Sequence, residues 1–195
     1  MAVPVADAGL RQALAGTRAA LSGSRDLRWV RDEQLHVTLR FFADLPGEHL
    51  PAVEEASRAA CAAFSPFDLE VRGLGRFPAH GPLRVVWAGL GAGREALVAL
   101  AASLAGELEA RGFPAVAGEK PFAPHLTLAR ARDPRGSRDA ARAVAALTPS
   151  TGAFGIQRVE ALVLTRSDLG SGAPVHSPLG RYALARPLRP EAAAR

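Results

Sequence analysis

The 195 residues predict an α+β fold, a single domain or two small lobes sharing an interface. Three observations carry that expectation. Alanine-leucine stretches with helical periodicity alternate with short strand-like runs in both halves, as if one arrangement had been duplicated in structure more than in sequence. The tetrapeptide His36-Val37-Thr38-Leu39 returns as His125-Leu126-Thr127-Leu128, each copy inside an alternating run. A hydrophobic content of 48% is enough for a packed core.

Taken in order, Ala2-Val3-Pro4-Val5 offers a short first strand, and the missing N–H of Pro4 confines it to an edge or a strand end. Asp7 caps a helix over residues 7–21, with Leu10, Leu14 and Leu21 on one face. Strands follow at 28–30 and 35–42. Leu45-Pro46-Gly47-Glu48 turns into a helix that carries Leu50 and Val53 and ends near Ala63. Residues 67–74 alternate as a strand with Phe67, Leu69 and Val71 inward, and 75–82 read as a loop. Residues 83–90, with Val85, Val86 and Trp87, read as a buried strand, and 94–111 as a helix closed by Gly112. Pro124 bars a helix from running into the second histidine strand, because its φ is fixed and its N–H is missing. A helix at 139–147, a strand at 159–166 and a mobile loop at 170–174 complete a domain of residues 1–187, with a disordered tail at 188–195.

The repeated motif carries the chemistry. Side chains alternate along a strand, so Leu35, Val37, Leu39 and Phe41 suit the core while His36, Thr38 and Arg40 share the other face. His125 and Thr127 stand in the same relation to Leu126 and Leu128. One His-x-Thr alone reads as a half-exposed strand. Two copies, each with a leucine after the threonine and an arginine close behind at 40 or 130, read as a pair. An imidazole titrates near neutral pH, so one ring can donate a proton while the other accepts one. Hydroxyls of Thr38 and Thr127 suit non-bridging phosphate oxygens, and an arginine fork matches phosphate. Arg130 falls by alternation on the face opposite His125 unless a bulge re-aims it. Phe42, on the His36 face, and Phe122 offer stacking surfaces for a base, although packing is the commoner role; Phe41 belongs to the core.

Residues 27–30 and 35–42, Pro121 through Arg130, and the segment Leu162 through Gly170 together resemble the 2H phosphoesterases. Within that superfamily the similarity is to the bacterial and archaeal RNA 2′,3′-cyclic phosphodiesterases, also called 2′-5′ RNA ligases. The resemblance implies a bilobal α+β fold, two antiparallel-sheet lobes with outer helices around a central cleft. It implies hydrolysis of an RNA 2′,3′-cyclic phosphate end to a 2′-phosphomonoester without metal or cofactor, with ligation as related chemistry. His36 would protonate the departing 3′ oxygen and His125 would activate water. Thr38 and Thr127 would hold the phosphate, and Arg130 would be a further contact. RNA carrying a cyclic phosphate or 2′-phosphate end is the partner, and a monomer the expected state. Three departures stand out: the first strand is short, Arg40 stands where lysine is common, and His176 where tyrosine is common.

Composition sets bounds on the rest. The chain carries +5 formal charge, and of 24 basic residues only Lys120 is lysine. That balance favours a polyanion, though genome base composition accounts for it equally well. No run approaches the roughly 18 apolar residues of a membrane span, and no signal segment opens the chain, so the expectation is cytoplasmic. Cys61 is alone, which excludes an internal disulfide and reads as a buried helical thiol. His49 and His80 are expected to be exposed. A zinc site on His36 and His125 would want Asp44 or His176 as a third ligand, and neither motif has ligand spacing. Gly89-Leu90-Gly91-Ala92-Gly93 reads as a turn. Two alternatives remain at this level: a non-catalytic RNA or nucleotide-binding module, which the intact histidines and threonines argue against, and a hydrolase of another cyclic or ADP-ribose-derived phosphate.

Overall fold

The computed structural model describes residues 1–21, 23, 26–115, 121–133, 137–148, 151–168 and 175–185. The expected mobile loop at 170–174 and the tail at 188–195 lie outside the described residues.

The described strands are β1 (Ala2–Pro4), β2 (Leu27–Trp29), β3 (His36–Thr38), β4 (Phe67–Phe77), β5 (Val85–Leu90), β6 (Leu126–Ala131), β7 (Ala153–Val159), β8 (Ala161–Asp168) and β9 (Val175–Ala183). The helices are α1 (Ala8–Ala20), α2 (Leu50–Ala62), α3 (Arg94–Glu109) and α4 (Arg138–Leu147). All strand pairings are antiparallel, in the order β7-β4-β5-β6-β3-β1-β8-β9, with β2 added on β6. A single registered pair, Val37 with Leu126, joins β3 to β6. The sheet therefore divides there into two lobes, β1-β3-β8-β9 and β2-β4-β5-β6-β7.

These lobes are not the two halves of the sequence. β1 pairs with β8, which joins β1 and β3 from the start of the chain to β8 and β9 from its end in one lobe, while β2 and β4 through β7 form the other. β7 passes into β8 across Glu160 alone, so the chain changes lobe with hardly a loop. The expected strand over 159–166 is β8, shifted by two residues, with Val159 the last residue of β7. β9 and most of β7 are additions to the sequence reading. β4 runs on to Phe77 where a loop was expected, because Gly75 and Phe77 continue the ladder with Trp87 and Val85.

One sheet face and the helices make the core. Val3, Val37, Leu69, Val71, Leu74, Val86, Ala88, Leu126, Leu128, Leu162 and Leu164 are buried on it. Above them lie Leu10 and Leu14 of α1, Val53 and Cys61 of α2, and Leu97, Leu100, Leu104 and Leu108 of α3. β5 is buried on one face only, with Val85 and Trp87 left partly exposed. Pro4 ends β1, which lies between β3 and β8, so the strand-end reading holds and the edge reading does not. Asp7 caps α1 by accepting from the Leu10 N–H at 2.7 Å. Cys61 is fully buried, which pushes its thiol above the usual range. Among the described residues no helix is long and apolar enough to cross a membrane.

Gln157 ties β7 to the start of α1. Its Oε1 accepts from the Ala6 N–H (2.7 Å) and the Asp7 N–H (3.2 Å), and its Nε2 donates to the Arg158 carbonyl (2.6 Å). Gln157 is buried, so Gln157→Leu strands two backbone donors and is expected to cost roughly 1–3 kcal/mol. Urea unfolding reads this directly, and an unchanged midpoint would refute the bracing role.

Candidate active site

The Val37–Leu126 pair places everything else at the site. Both side chains are buried, so β3 and β6 turn the same face to the core. Extending the antiparallel register by one residue on each side sets His36 opposite Thr127 and Thr38 opposite His125, on the open face. Residues opposed in this way have Cβ atoms about 4.5–5.5 Å apart. The two motifs thus form one compact quartet at the seam between the lobes. Two cross-strand rows pass through it: Gly75–Trp87–Thr127–His36–Pro4, and His125–Thr38–Ala2–Val163–Arg181.

The two imidazoles are held alike. Nδ1–H of His36 donates to the Gln34 carbonyl at 2.7 Å, and Nδ1–H of His125 donates to the Ala123 carbonyl, also at 2.7 Å. A carbonyl only accepts, so each neutral ring carries its proton on Nδ1 and presents Nε2 as the basic nitrogen. The bond from each ring to the residue two before it orients both rings without any charged partner.

Their neighbours differ. His36 meets the ring of His176 edge-on, with centroids 5.5 Å apart. Burial holds the pKa of His36 below its ordinary value of 6.5; the Gln34 bond opposes this, and positive charge on His176 and Arg130 adds to it. His125 instead packs against aromatic surface, with Phe77 edge-on at 5.0 Å and Trp87 at 6.4 Å. Phe77 and Trp87 lie 5.3 Å apart. The indole passes over Gly75, where any Cβ would strike the ring, so glycine is required there for Trp87 to reach the open face.

Arg130 is re-aimed by a bulge. In the β5–β6 ladder Val86 pairs with Ala129 and Trp87 with Thr127, which skips Leu128. Leu128 and Ala129 are consequently both buried, and Arg130 emerges exposed on the side of His125 and Thr127. Its charge acts on His36 from there.

The other expected site residues divide. Arg40 is committed to structure: its guanidinium donates to the Pro114 carbonyl at 2.7 Å and lies 5.8 Å over the Phe42 ring. Phe42 packs edge-on against Phe113 beside the core, and Phe41, expected inside, is 69% exposed. The exchange arises because β3 stops at Thr38. Leu39 N–H and Arg40 N–H both donate to the Met1 carbonyl, and alternation ends there. Phe122 is exposed on the segment entering β6. His49 and His80 are exposed. Phe77 and Trp87 are the site neighbours that sequence reading missed; the alternation from Gly75 to Phe77 was the available signal, hidden by reading glycine as loop.

The chain matches the family model of the 2′-5′ RNA ligase superfamily over residues 8–170 and belongs to that superfamily. It is 31% identical over 179 residues to an RNA 2′,3′-cyclic phosphodiesterase of Methanothermobacter thermautotrophicus, covering 91% of this chain and 94% of that protein. Among solved structures, TT0787 of Thermus thermophilus superposes with a TM-score of 0.76 at 30% identity, over 94% of this chain and 98% of that one. Escherichia coli LigT complexed with 3′-AMP does so with a TM-score of 0.70 at 25% identity, over 95% and 96%.

Because burial favours the neutral ring, His36 is expected to titrate below 6.5 in the free protein. The stability it contributes is then complete above about 6.5 and falls away as pH drops towards the folded-state pKa. Histidine NMR titration decides this, and a His36 midpoint above 6.5 would contradict it.

Proposed function

We propose that the protein hydrolyses 2′,3′-cyclic phosphate ends of RNA to 2′-phosphomonoesters, by acid and base catalysis between His36 and His125. The quartet of two imidazoles and two hydroxyls on neighbouring strands is the observation that carries this reading. The relatives' names supply the substrate class.

His125 accepts a proton from water through Nε2 as the water oxygen attacks phosphorus. His36 gives its Nε2 proton to the 3′ oxygen as that bond to phosphorus breaks, and the 2′ ester remains. Thr38 and Thr127 donate to the non-bridging oxygens, where charge grows, and Arg130 adds a cation on the same side. In the free protein His36 is held towards neutrality. The entering phosphodiester anion supplies the countercharge that lifts its pKa, so the donor is armed by substrate. An RNA hydroxyl in place of water gives the ligase direction. Neither Arg40 nor Phe42 enters this scheme, since both are engaged in packing; Phe122 remains available to the terminal base. We place this activity in a monomeric single domain of residues 1–187 in the cytoplasm.

His36→Ala and His125→Ala should each lower turnover by about 10²–10⁴-fold with the fold intact by circular dichroism. Thr38→Ala or Thr127→Ala should cost about 1.5–3 kcal/mol in kcat/KM. The decisive assay incubates a short RNA ending in a 2′,3′-cyclic phosphate with the protein and excess chelator, and identifies the product by phosphorus NMR. A 2′-phosphate is expected. A 3′-phosphate would reverse the leaving group, and an unchanged cyclic phosphate would overturn the reading.

A further inference from the structure

An open cavity of about 390 Å³ lies on the His36 side of the quartet, within the roughly 300–1,000 Å³ usual for ligand sites. Pro4, Val163 and Arg181 form one wall. Pro4 is registered with His36, Ala2 with Thr38 and with Val163, and Val163 with Arg181, so this wall continues the open face that carries the quartet. Ile156, Gln157 and Arg158 of β7 close the other side, where the chain passes from one lobe to the other.

The direction of the reaction places the substrate relative to this cavity. If His36 protonates the departing 3′ oxygen, the ribose bearing that oxygen sits on the His36 side of the phosphorus, and so does the rest of the RNA chain attached to it. We propose that the cavity is a subsite for the nucleotide on the 5′ side of the cyclic end, with Arg158 and Arg181 contacting its phosphate and Ile156 its base or sugar. The proposal rests on the phosphodiesterase reading above.

The lining suits that ligand. Ile156 is 57% exposed, which is unusual for an isoleucine in a strand and provides an apolar contact at the cavity edge. Arg158 pairs with Asp68 at 3.1 Å, and Arg181 with Glu160 at 3.7 Å; every member of these pairs is more than half exposed. Such surface pairs are weak, so either guanidinium can exchange its carboxylate for the paired oxygens of a phosphate. Glu160 and Asp7 also line the cavity and disfavour an anion there unless the arginines face inward, so both arginines are needed.

The test compares uridine 2′,3′-cyclic phosphate, which is too short to enter the cavity, with a trinucleotide ending in the same group. In the double variant Arg158→Ala/Arg181→Ala, kcat/KM for the trinucleotide should fall about tenfold or more while that for the mononucleotide stays within about twofold. The wild-type preference for the trinucleotide should also shrink as salt is raised. Both side chains are exposed, and circular dichroism checks that the variant is folded. An equal loss on both substrates, or no loss on the trinucleotide, would overturn the subsite. If the wild type hydrolyses neither substrate, the phosphodiesterase reading fails separately. Fluorescence anisotropy with the 2′-phosphorylated trinucleotide then decides the cavity: weaker binding by the double variant sustains it, and unchanged binding removes it.

Discussion

One backbone pairing, Val37 with Leu126, is the constraint on which the rest depends. It is the single registered contact between the lobes' central strands, and it carries a histidine and a threonine on each side. Side-chain direction in a strand reverses at every residue, so a slip of one position would bury the histidines and expose the leucines. The apolar residues therefore set the chemistry: Leu35, Val37, Leu126 and Leu128 are all buried, and their burial determines which way His36, Thr38, His125 and Thr127 face.

The site combines symmetry with a deliberate difference. Each imidazole is oriented by the carbonyl two residues earlier, a device supplied twice by the backbone just ahead of β3 and of β6. The proposed acid and base roles require that the rings not be equivalent, and their surroundings differ. His36 is half-buried, with positive charge on His176 and Arg130 acting on it and the His176 ring against its edge, whereas His125 rests on Phe77 and Trp87. His176 meets the His36 ring edge-on, with centroids 5.5 Å apart, and so shapes one side of that imidazole alone.

Much of this was legible in the sequence, and the failures have specific physical causes. Periodicity found α1 through α4 and the strands that carry the motifs, because each buries one regular face. The bulge that turns Arg130 to the open face was legible only as a possibility, since nothing local marks Leu128 as the skipped residue. Phe41 and Phe42 exchanged places because a long-range contact, two N–H groups on the Met1 carbonyl, ends β3 early. Glycine concealed the end of β4: Gly75 reads as a loop residue but serves to admit the Trp87 indole. Which strands make each lobe was not legible, because strand order is a property of pairing and no sequence pattern announces that β1 will lie beside β8.

The most direct measurement of the central claim is a crystal structure with a bound nucleoside 2′-phosphate. The phosphate should lodge at the seam, with Nε2 of both His36 and His125 within about 2.6–3.2 Å of its oxygens and the two threonine hydroxyls donating to it. A phosphate held by one histidine alone, or seated away from the β3–β6 pairing, would contradict it.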